Sequence, residues 1–558
     1  MEAQIANVAR FLPEIARLNP NGVAVRAPLK TVAGGVIAYD ERTFAAMEAE
    51  AVAAARLLEA SGVRRGTRTL LMVRPGLDLI RLTFALFKLG AVPIIIDPGM
   101  GLKSFLNCVR QSQPEVLIGI PLAQVVSRLF PGPFRSVLHR VAVGKRFSAQ
   151  LDLSSKSAHF PVAQTQADDL AAILFTSGST GSPKGVCYEH GMFEAQVRML
   201  REHYRIQPGE VDLPMLPIFA LFNPALGMTT IVPQMNPSRP ATVVPACIVQ
   251  AIRQNQVTNS FGSPVLWRKI CGYCREHNLT LPSLKRVLMA GAPVPAQLIR
   301  EFKEVIPNGE VHTPYGATEC LPLTSMSGAE ILAETAVLSL AGRGACVGRA
   351  FPGMEVRIMR VEPVEPGVVE RSDAIRTLPT GEVGEIIARG PVVTKAYDKL
   401  PAETARAKIY EADDSLWHRV GDLGYQDNSG RFWFCGRKAE RVVSGDTIYY
   451  TECCEAVFNQ HPRVARTALI GLGSPGQHTP AIVVEPRAGE FPTGKAAQQR
   501  FEQELLALGQ TQSHTRAIHT FFFHKHFPVD VRHNAKIHRL KLARVYGASD
   551  ILKSQEMR

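Results

Sequence analysis

The segment TSGSTGSPKG at residues 176–185 has the composition of a phosphate-binding loop. It directly follows an apolar stretch, LAAILF (170–175), that predicts a buried strand. Three glycines and a run of hydroxyl residues allow backbone N–H groups, hydroxyls and Lys184 to converge on phosphate oxygens. Because Pro183 precedes Lys184 and Gly185 follows it, the segment is not a Walker A loop. A phosphorylated ligand is therefore expected at the end of this strand.

Five further segments have compositions that suit a nucleotide site: one is rich in glycine, alanine and proline, and the other four carry aromatic or charged residues. They are AGAPVP (290–295), PYGATE (314–319), WHRVGDLG (417–424), FCGRKAERVVSGDTIYY (434–450) and HNAKIHR (533–539). With the phosphate loop, this ordered set resembles the motifs of the adenylate-forming superfamily, which includes acyl-CoA synthetases, peptide-synthetase adenylation domains and luciferases. The six motifs cover nearly the whole chain in the family's order. The resemblance implies that a carboxylate attacks the α-phosphate of ATP and expels pyrophosphate.

The resemblance also implies ATP and Mg²⁺ as cofactors and assigns a nucleotide site. The residues assigned to it are Thr176, Ser177, Gly178, Ser179, Thr180, Gly181, Gly291, Ala292, Pro293, Tyr315, Gly316, Asp422 and Arg437. Tyr315 supplies a flat face for adenine. Asp422 can accept hydrogen bonds from the ribose hydroxyls, and Arg437 can reach the ribose or a phosphate.

Lys536, Thr318 and Lys184 are the catalytic residues that the resemblance implies, and Glu319 is the implied Mg²⁺ ligand. Lys536 is the point charge that would bridge the attacking carboxylate and the α-phosphate. Glu319 offers the hard oxygen that Mg²⁺ prefers. Considered alone, Tyr315 would be interpreted as a core aromatic residue and Lys536 as a solvated cation. Their assigned roles therefore depend on the six motifs occurring together in the family's order. His190, which follows the phosphate loop, is interpreted as structural.

Three departures distinguish the chain from the common acyl-CoA synthetase pattern. Ala220 stands where those enzymes often have a histidine, Ala439 replaces the hinge aspartate, and GDTIYYTECCEAVF (445–458) replaces a Gly-Glu-Asn stretch. The combination resembles the β-lactone synthetases of bacterial long-chain olefin biosynthesis. The segments that carry this resemblance are 74–101, 216–229, 450–458 and 527–539.

That family adenylates a 2-alkyl-3-hydroxy acid, whose own 3-hydroxyl then closes a β-lactone and releases AMP. The resemblance therefore implies a long-chain hydroxy-acid substrate, with a β-lactone decarboxylase and a ketoacid reductase as partners in the same pathway. Long-chain acyl-CoA or acyl-carrier ligation is the alternative activity, and a non-catalytic scaffold on this fold is a third. The sequence identifies no general base for the hydroxyl.

Four apolar residues near these departures are assigned to alkyl-chain recognition: Met215, Phe219, Phe222 and Phe261. Ordinary core packing explains them equally well at this stage. A ligand pocket and a hydrophobic core use the same side chains, so sequence pattern does not separate the two readings.

Composition limits the other classes of function. The chain has 558 residues, 46% hydrophobic and 20% charged, with a net charge of 63 − 50 = +13. No apolar stretch reaches the length of a transmembrane helix, and the N-terminus lacks the pattern of a secretory signal. Only 524–544 is densely basic, so nucleic-acid binding is not expected. Ten scattered cysteines predict reduced, mostly buried thiols and a cytoplasmic location.

The predicted fold is α/β, because short β-branched strands alternate with helical patterns. A large N-terminal adenylation domain is predicted over residues 1–436. A small, mobile α+β lid that carries Lys536 is predicted over 437–558. The polar stretches 146–169 and 361–382 are expected to be irregular connections.

Overall fold

The computed structural model describes residues 5–31, 35–154, 160–176, 183–236, 239–361, 375–411, 413, 415–530 and 536–556. Its strands in chain order are β1 (Val23–Thr31), β2 (Ile37–Thr43), β3 (Arg68–Met72), β4 (Val92–Ile95), β5 (Val116–Gly119), β6 (His139–Ala142), β7 (Leu170–Thr176), β8 (Lys184–Glu189), β9 (Val211–Pro214), β10 (Thr229–Ile231), β11 (Asn259–Gly262), β12 (Arg286–Met289), β13 (Glu310–His312), β14 (Tyr315–Ala317), β15 (Cys320–Ser325), β16 (Ala345–Ala350), β17 (Glu355–Met359), β18 (Gly384–Arg389), β19 (Lys408–Tyr410), β20 (Leu416–Gln426), β21 (Phe432–Arg437), β22 (Val442–Ser444), β23 (Thr447–Tyr449), β24 (Val464–Leu472), β25 (Thr479–Pro486) and β26 (Thr520–Phe523).

Helices cover these sheets and connect their strands. They are α1 (Phe11–Leu18), α2 (Phe44–Ala60), α3 (Leu77–Leu89), α4 (Leu102–Ser112), α5 (Pro121–Leu129), α6 (Lys145–Ser154), α7 (His190–Tyr204), α8 (Asn223–Leu226), α9 (Pro245–Gln254), α10 (Pro264–Glu276), α11 (Ala296–Val305), α12 (Gly328–Glu330), α13 (Ala336–Leu340), α14 (Pro401–Ala407), α15 (Thr451–Phe458), α16 (Lys495–Gly509) and α17 (Arg539–Glu556). Within the described ranges, the model contains no helix with the length and apolarity of a membrane span.

Two mainly parallel sheets form the larger part of the chain. The first has the strand order β13-β12-β11-β9-β10-β1-β2, and the second has the order β6-β5-β3-β4-β7-β8. Only the pairs β1–β2 and β7–β8 are antiparallel. Such sheets are covered by helices on their faces and place loops at the carboxyl ends of their strands, where ligands bind.

An antiparallel sheet and a small C-terminal unit complete the fold. The antiparallel sheet has the order β14-β15-β16-β21-β20-β18-β17, with β19 paired to β20. Strands β24, β25 and β26 form a three-stranded sheet whose core includes Phe458, Phe501 and Phe521. This smaller unit carries Lys536 and confirms the predicted α/β architecture with a small α+β domain. The boundary at 436/437 stays a prediction.

Helix α3 shows how local sequence sets these elements. Its apolar residues are buried almost throughout, and Gly90 ends it in the left-handed conformation with φ 66°. Gly90 is favoured there because it has no Cβ to strain that conformation. Lys88 is fully buried, with its Nζ 2.7 Å from Glu48 Oε1. The pairing compensates for the cost of burying the ammonium group.

One expected connection is partly wrong. The stretch 146–169 was expected to be irregular, but its first part belongs to helix α6 (Lys145–Ser154). Phe147 and Leu151 face the core at the helical spacing of four residues, and this burial outweighs the polar composition. In the second polar stretch, residues 362–374 lie outside the described residues. All ten cysteines are free thiols, as predicted.

The buried Asp212 on β9 connects this sheet to the segment that follows. Asn223 donates a hydrogen bond from Nδ2 to Asp212 Oδ2 over 2.9 Å and another to Thr230 Oγ1 over 2.9 Å. Burial raises the pKa of Asp212 to about 7, although the Asn223 hydrogen bond opposes the rise. The carboxyl group therefore takes up a proton on folding across the mildly acidic range.

Replacing Asp212 with Asn should flatten the pH dependence of stability. Between the unfolded pKa near about 4 and the folded pKa, the native state binds more protons, so its stability falls as pH rises. Between about pH 5.5 and about pH 8, the free energy of unfolding of the wild type should fall by on the order of 2 kcal/mol through this group. Asp212→Asn should not show this fall. Urea unfolding at both pH values measures this difference. Asp446→Asn, at an exposed position, is the control, and equal slopes for all three proteins would contradict the prediction.

Candidate active site

A single cavity of about 2580 Å³ lies where the carboxyl ends of the parallel strands face the antiparallel sheet and the C-terminal unit. It brings together most of the predicted site residues: Lys184, Met215, Phe219, Phe222, Phe261, Gly291, Ala292, Pro293, Tyr315, Gly316, Thr318, Glu319, Asp422, Arg437 and Lys536. Thr176 ends β7, and its backbone pairs with that of Lys184 across the hairpin. The predicted Ser177, Gly178, Ser179, Thr180 and Gly181 lie outside the described residues.

Two glycines are required by the geometry of the loops that line the cavity. Gly291 follows β12 with φ 95°, a conformation that side chains rarely adopt. A Cβ on Gly316 would lie 2.5 Å from the carbonyl oxygen of Cys320. The motifs at 290–295 and 314–319 therefore depend on glycine for backbone reasons as well as for access to a ligand.

The carboxylate of Asp422 lies between Tyr315 and Arg437. The Tyr315 hydroxyl donates to Asp422 Oδ2 over 2.6 Å, and Arg437 Nη1 lies 2.7 Å from Oδ1. Antiparallel pairing of β20 with β21 places Asp422 directly opposite Arg437. Burial raises the pKa of Asp422, while the charge of Arg437 opposes the rise. The triad forms a polar group on the cavity wall, aligned by sheet register.

Glu319 and Lys184 both contact Tyr397. The Tyr397 hydroxyl donates to Glu319 Oε1 over 2.7 Å, and Lys184 Nζ lies 4.9 Å from the centre of the Tyr397 ring. Lys184 also forms an ion pair with Glu403 Oε2 at 2.7 Å. The predicted metal ligand and the predicted phosphate-binding lysine are therefore positioned by one tyrosine.

Thr318 is held by a second tyrosine, Tyr188. The Tyr188 hydroxyl donates to the carbonyl oxygen of Thr318, and its ring stacks on Phe193 at 5.1 Å. Sequence reasoning did not identify Tyr188, Tyr397 or Glu403. These residues are isolated in the sequence and belong to none of the motifs, so no spacing signal pointed to them.

Lys536 comes from the C-terminal unit and lines the same cavity as Asp422. Backbone bonds fix its position: the Lys536 N–H donates to Asp530 Oδ1 over 2.9 Å, and its carbonyl oxygen accepts from the Asp530 N–H over 3.0 Å. The Lys536 charge contributes to lowering the pKa of Asp422 against the dominant effect of burial. The C-terminal unit is therefore seated with Lys536 facing the predicted nucleotide site.

The four predicted alkyl-binding residues all line the cavity; Met215 and Phe261 are buried, and Phe219 and Phe222 are partly exposed. Phe219 and Phe261 stack with their ring centres 4.0 Å apart, and Phe222 lies 6.3 Å from Phe219. Met215 is 1% exposed. These residues thus serve as core and as cavity lining, so the two readings of the sequence are compatible. His190 is buried and outside this lining, and burial lowers its pKa to about 4.

Comparison with known proteins identifies the class. A family model described as AMP-binding enzyme matches residues 16–398, and the chain belongs to this family of adenylate-forming enzymes. The ATP-bound structure of MatB from Rhodopseudomonas palustris superposes with a TM-score of 0.76 at 21% identity, covering 98% of this chain and 99% of that one. The likeness to this structure shows the fold, and the predicted superfamily is confirmed.

Within the family, two curated relatives match over nearly the full length. Olefin beta-lactone synthetase from Xanthomonas campestris is 42% identical over 551 residues, covering 97% of each chain. Olefin beta-lactone synthetase from Stenotrophomonas maltophilia is 42% identical over 560 residues, covering 98% of this chain and 99% of the relative. The finer resemblance predicted from the sequence is therefore confirmed at the level of family.

Lys536→Ala should lower the rate of ATP–pyrophosphate exchange by about 10²–10³-fold, the effect of removing one positioned charge from a transition state. Lys541→Ala, an exposed position on α17 in the same unit, is the matched control and should retain the wild-type rate. Thermal unfolding should give the same midpoint for all three proteins. Full exchange activity in Lys536→Ala would contradict the assignment.

Proposed function

We propose that the chain is an ATP-dependent β-lactone synthetase acting on long-chain 2-alkyl-3-hydroxy acids. The full-length similarity to two olefin beta-lactone synthetases carries this proposal. In the first step, a carboxylate oxygen bonds to the α-phosphorus and pyrophosphate leaves. In the second, the 3-hydroxyl oxygen bonds to the acyl carbon, the acyl–phosphate bond breaks, the hydroxyl proton is lost, and AMP leaves.

The cavity residues fit the first step. Tyr315, Asp422 and Arg437 form the polar part of the cavity lining that would bind adenosine, with Asp422 accepting hydrogen bonds from the ribose hydroxyls. Lys184 and Lys536 supply positive charge on the phosphate side, where negative charge develops in the transition state. Adenylyl transfer, like phosphoryl transfer, depends mainly on positioning and charge stabilisation.

Glu319 is the residue that fits a magnesium ion. Its carboxylate lines the same cavity as Lys184, and a carboxylate combined with phosphate oxygens is a usual set of Mg²⁺ ligands. Bound there, the ion would neutralise phosphate charge. Tyr397 donates to Oε1 and thereby fixes the orientation of the carboxylate.

The second step is assigned to the substrate's own hydroxyl because the site has an alanine where acyl-CoA synthetases often have a histidine. Ala220, 5% exposed, lines the cavity where acyl-CoA synthetases often carry a histidine. A tethered nucleophile makes ring closure intramolecular, so a thiol acceptor is unnecessary. Long-chain acyl-CoA or acyl-carrier ligation is the alternative, since it shares the whole adenylation apparatus.

We further propose a cytoplasmic location and a place in a pathway. A 2-alkyl-3-hydroxy acid requires a preceding ketoacid reductase, and a β-lactone that yields an olefin requires a following decarboxylase. The names of the two relatives, which refer to olefins, support this order. Nucleic acid is not among the proposed partners.

A matched pair of acids separates lactone synthesis from thioester formation. The 3-hydroxy acid should give β-lactone and AMP at a rate that added CoA does not change, since effective molarities of about 10⁵–10⁸ M exceed any dissolved thiol. The 3-deoxy acid should be adenylated and then stall or hydrolyse slowly. Mass spectrometry with and without CoA identifies the products. Rapid formation of acyl-CoA from the deoxy acid, without lactone from the hydroxy acid, would establish the alternative instead.

Glu319→Gln tests the proposed metal site. The amide keeps the shape of the side chain but loses the charge that binds a hard cation. Pyrophosphate release should fall steeply at low Mg²⁺ and recover in part at high Mg²⁺. Glu330→Gln, which changes an acid in the ion pair with Arg349 on the surface, is the control. An equal loss at every Mg²⁺ concentration would point to a structural role for Glu319.

A further inference from the structure

One segment of the cavity lining, residues 216–222, is here called the wall. Its middle part is a 3₁₀-helix, Pro217–Leu221. Phe219 of the wall stacks on Phe261 from the first parallel sheet. Leu221 and Phe222 border a small void of about 30 Å³ together with residues of the second parallel sheet. The wall therefore faces both sheets.

The first apolar region, the Phe261 arm, is defined by Met215, Phe219, Phe261 and Val265. Met215 accompanies Phe261 through a backbone bond, since the Met215 N–H donates to the Phe261 carbonyl oxygen over 2.8 Å. Val265 lies in the first turn of α10 and is partly exposed along the cavity. This arm contains three of the four alkyl-binding residues expected from the sequence, and the fourth, Phe222, lies at the end of the wall.

The second apolar region, the α5 arm, is defined by Ile96, Phe105, Leu122 and Val126. It lies beyond the carboxyl ends of β3, β4 and β5, and its residues line the same cavity as Tyr315 and Lys536. Ile96 is 5% and Phe105 4% exposed, whereas Leu122 at the rim is 65% exposed. The α5 arm is thus an apolar path from the interior to the surface.

The binding of a nucleotide does not explain why the lining of the α5 arm is apolar. The adenosine groups are assigned to Tyr315, Asp422 and Arg437, and the phosphates to the loop at 176–185. An alkyl chain does give a reason, because each methylene moved from water into such a lining improves affinity by about fourfold. The lining therefore fits a second hydrocarbon chain.

The wall is connected to Thr318, a predicted catalytic residue, by a chain of contacts. Thr318 accepts from Tyr188, Tyr188 stacks on Phe193, and Phe193 lies 6.3 Å from Phe222 in the wall. In a 2-alkyl-3-hydroxy acid, the two chains leave from adjacent carbons next to the carboxylate. Chains that diverge at the reacting end of the molecule need a partition at that place.

We propose that the wall divides two alkyl-chain sites, so that one chain of the substrate occupies the Phe261 arm and the other occupies the α5 arm. This inference rests on the proposed function, because only a doubly substituted acid fills both arms. Holding both chains fixes the torsion between carbons 2 and 3. The 3-hydroxyl is then oriented towards the acyl carbon before ring closure.

Two matched substitutions test the partition. Val126→Trp obstructs the α5 arm, and Val265→Trp obstructs the Phe261 arm; both valines are partly exposed helical residues. Val244→Trp, at a 56% exposed position outside the cavity lining, is the control. The substrates are two isomeric 3-hydroxy acids: one carries octyl on carbon 2 and methyl on carbon 3, and the other has these groups exchanged. KM is measured by pyrophosphate release.

Each tryptophan should raise KM by about 10-fold or more for one isomer and by less than about threefold for the other. The larger effect corresponds to the loss of about two or three buried methylenes. The two variants should affect opposite isomers. Effects on the same isomer, or no effect of Val126→Trp, would overturn the partition while lactone formation by the wild type persists. A wild type that releases pyrophosphate with neither acid would instead overturn the proposed function and the partition with it. If a tryptophan variant does not fold, Val126→Phe and Val265→Phe form the second pair.

Discussion

The ion pair of Asp422 with Arg437, completed by the Tyr315 hydroxyl, is the interaction on which the site depends. It forms because β20 and β21 pair with Asp422 opposite Arg437, and because β14 places Tyr315 beside them. A buried carboxylate is costly without a cation and a hydrogen-bond donor. Loss of either partner would leave a buried polar group unsatisfied, so sheet register and site chemistry are coupled.

The C-terminal unit is attached to this site by charge as well as by packing. Arg539 is ion-paired with Glu455 at 2.6 Å and with Glu440 at 3.0 Å, and it follows Lys536 by three residues. Lys438 lies 3.3 Å from Glu385 on β18. The segment that carries Lys536 is therefore fixed to the body of its own unit by Arg539.

Sequence pattern predicted the elements whose burial is periodic and whose ends are marked. The strand predicted at 170–175 was placed correctly, because an uninterrupted apolar run is a local signal. Helix α6 was not predicted, because its two core residues, Phe147 and Leu151, stand among polar residues that obscure the helical spacing. The assigned site residues were predicted to meet at one place, and those whose side chains the structure describes line one cavity.

The residues that sequence analysis missed share a physical feature: they act through neighbours brought together only by the fold. Tyr188 and Tyr397 lie far from Thr318 and Glu319 in sequence, and each donates its hydroxyl to one of them. Burial raises the pKa of both tyrosines, so their hydroxyls stay protonated and remain donors at neutral pH. No local pattern records such a contact.

The small side chain of Ala220 connects the two parts of the proposed mechanism. Ala220 belongs to the wall, and its position is 5% exposed on the cavity side of a 3₁₀-helix. An imidazole there would occupy space next to the branch point of a doubly substituted acid. With alanine, that volume stays open at the cavity. In the proposed function, the residue that replaces the histidine common in acyl-CoA synthetases therefore also leaves room for a branched chain, and this connects substrate shape with the use of the substrate's own hydroxyl.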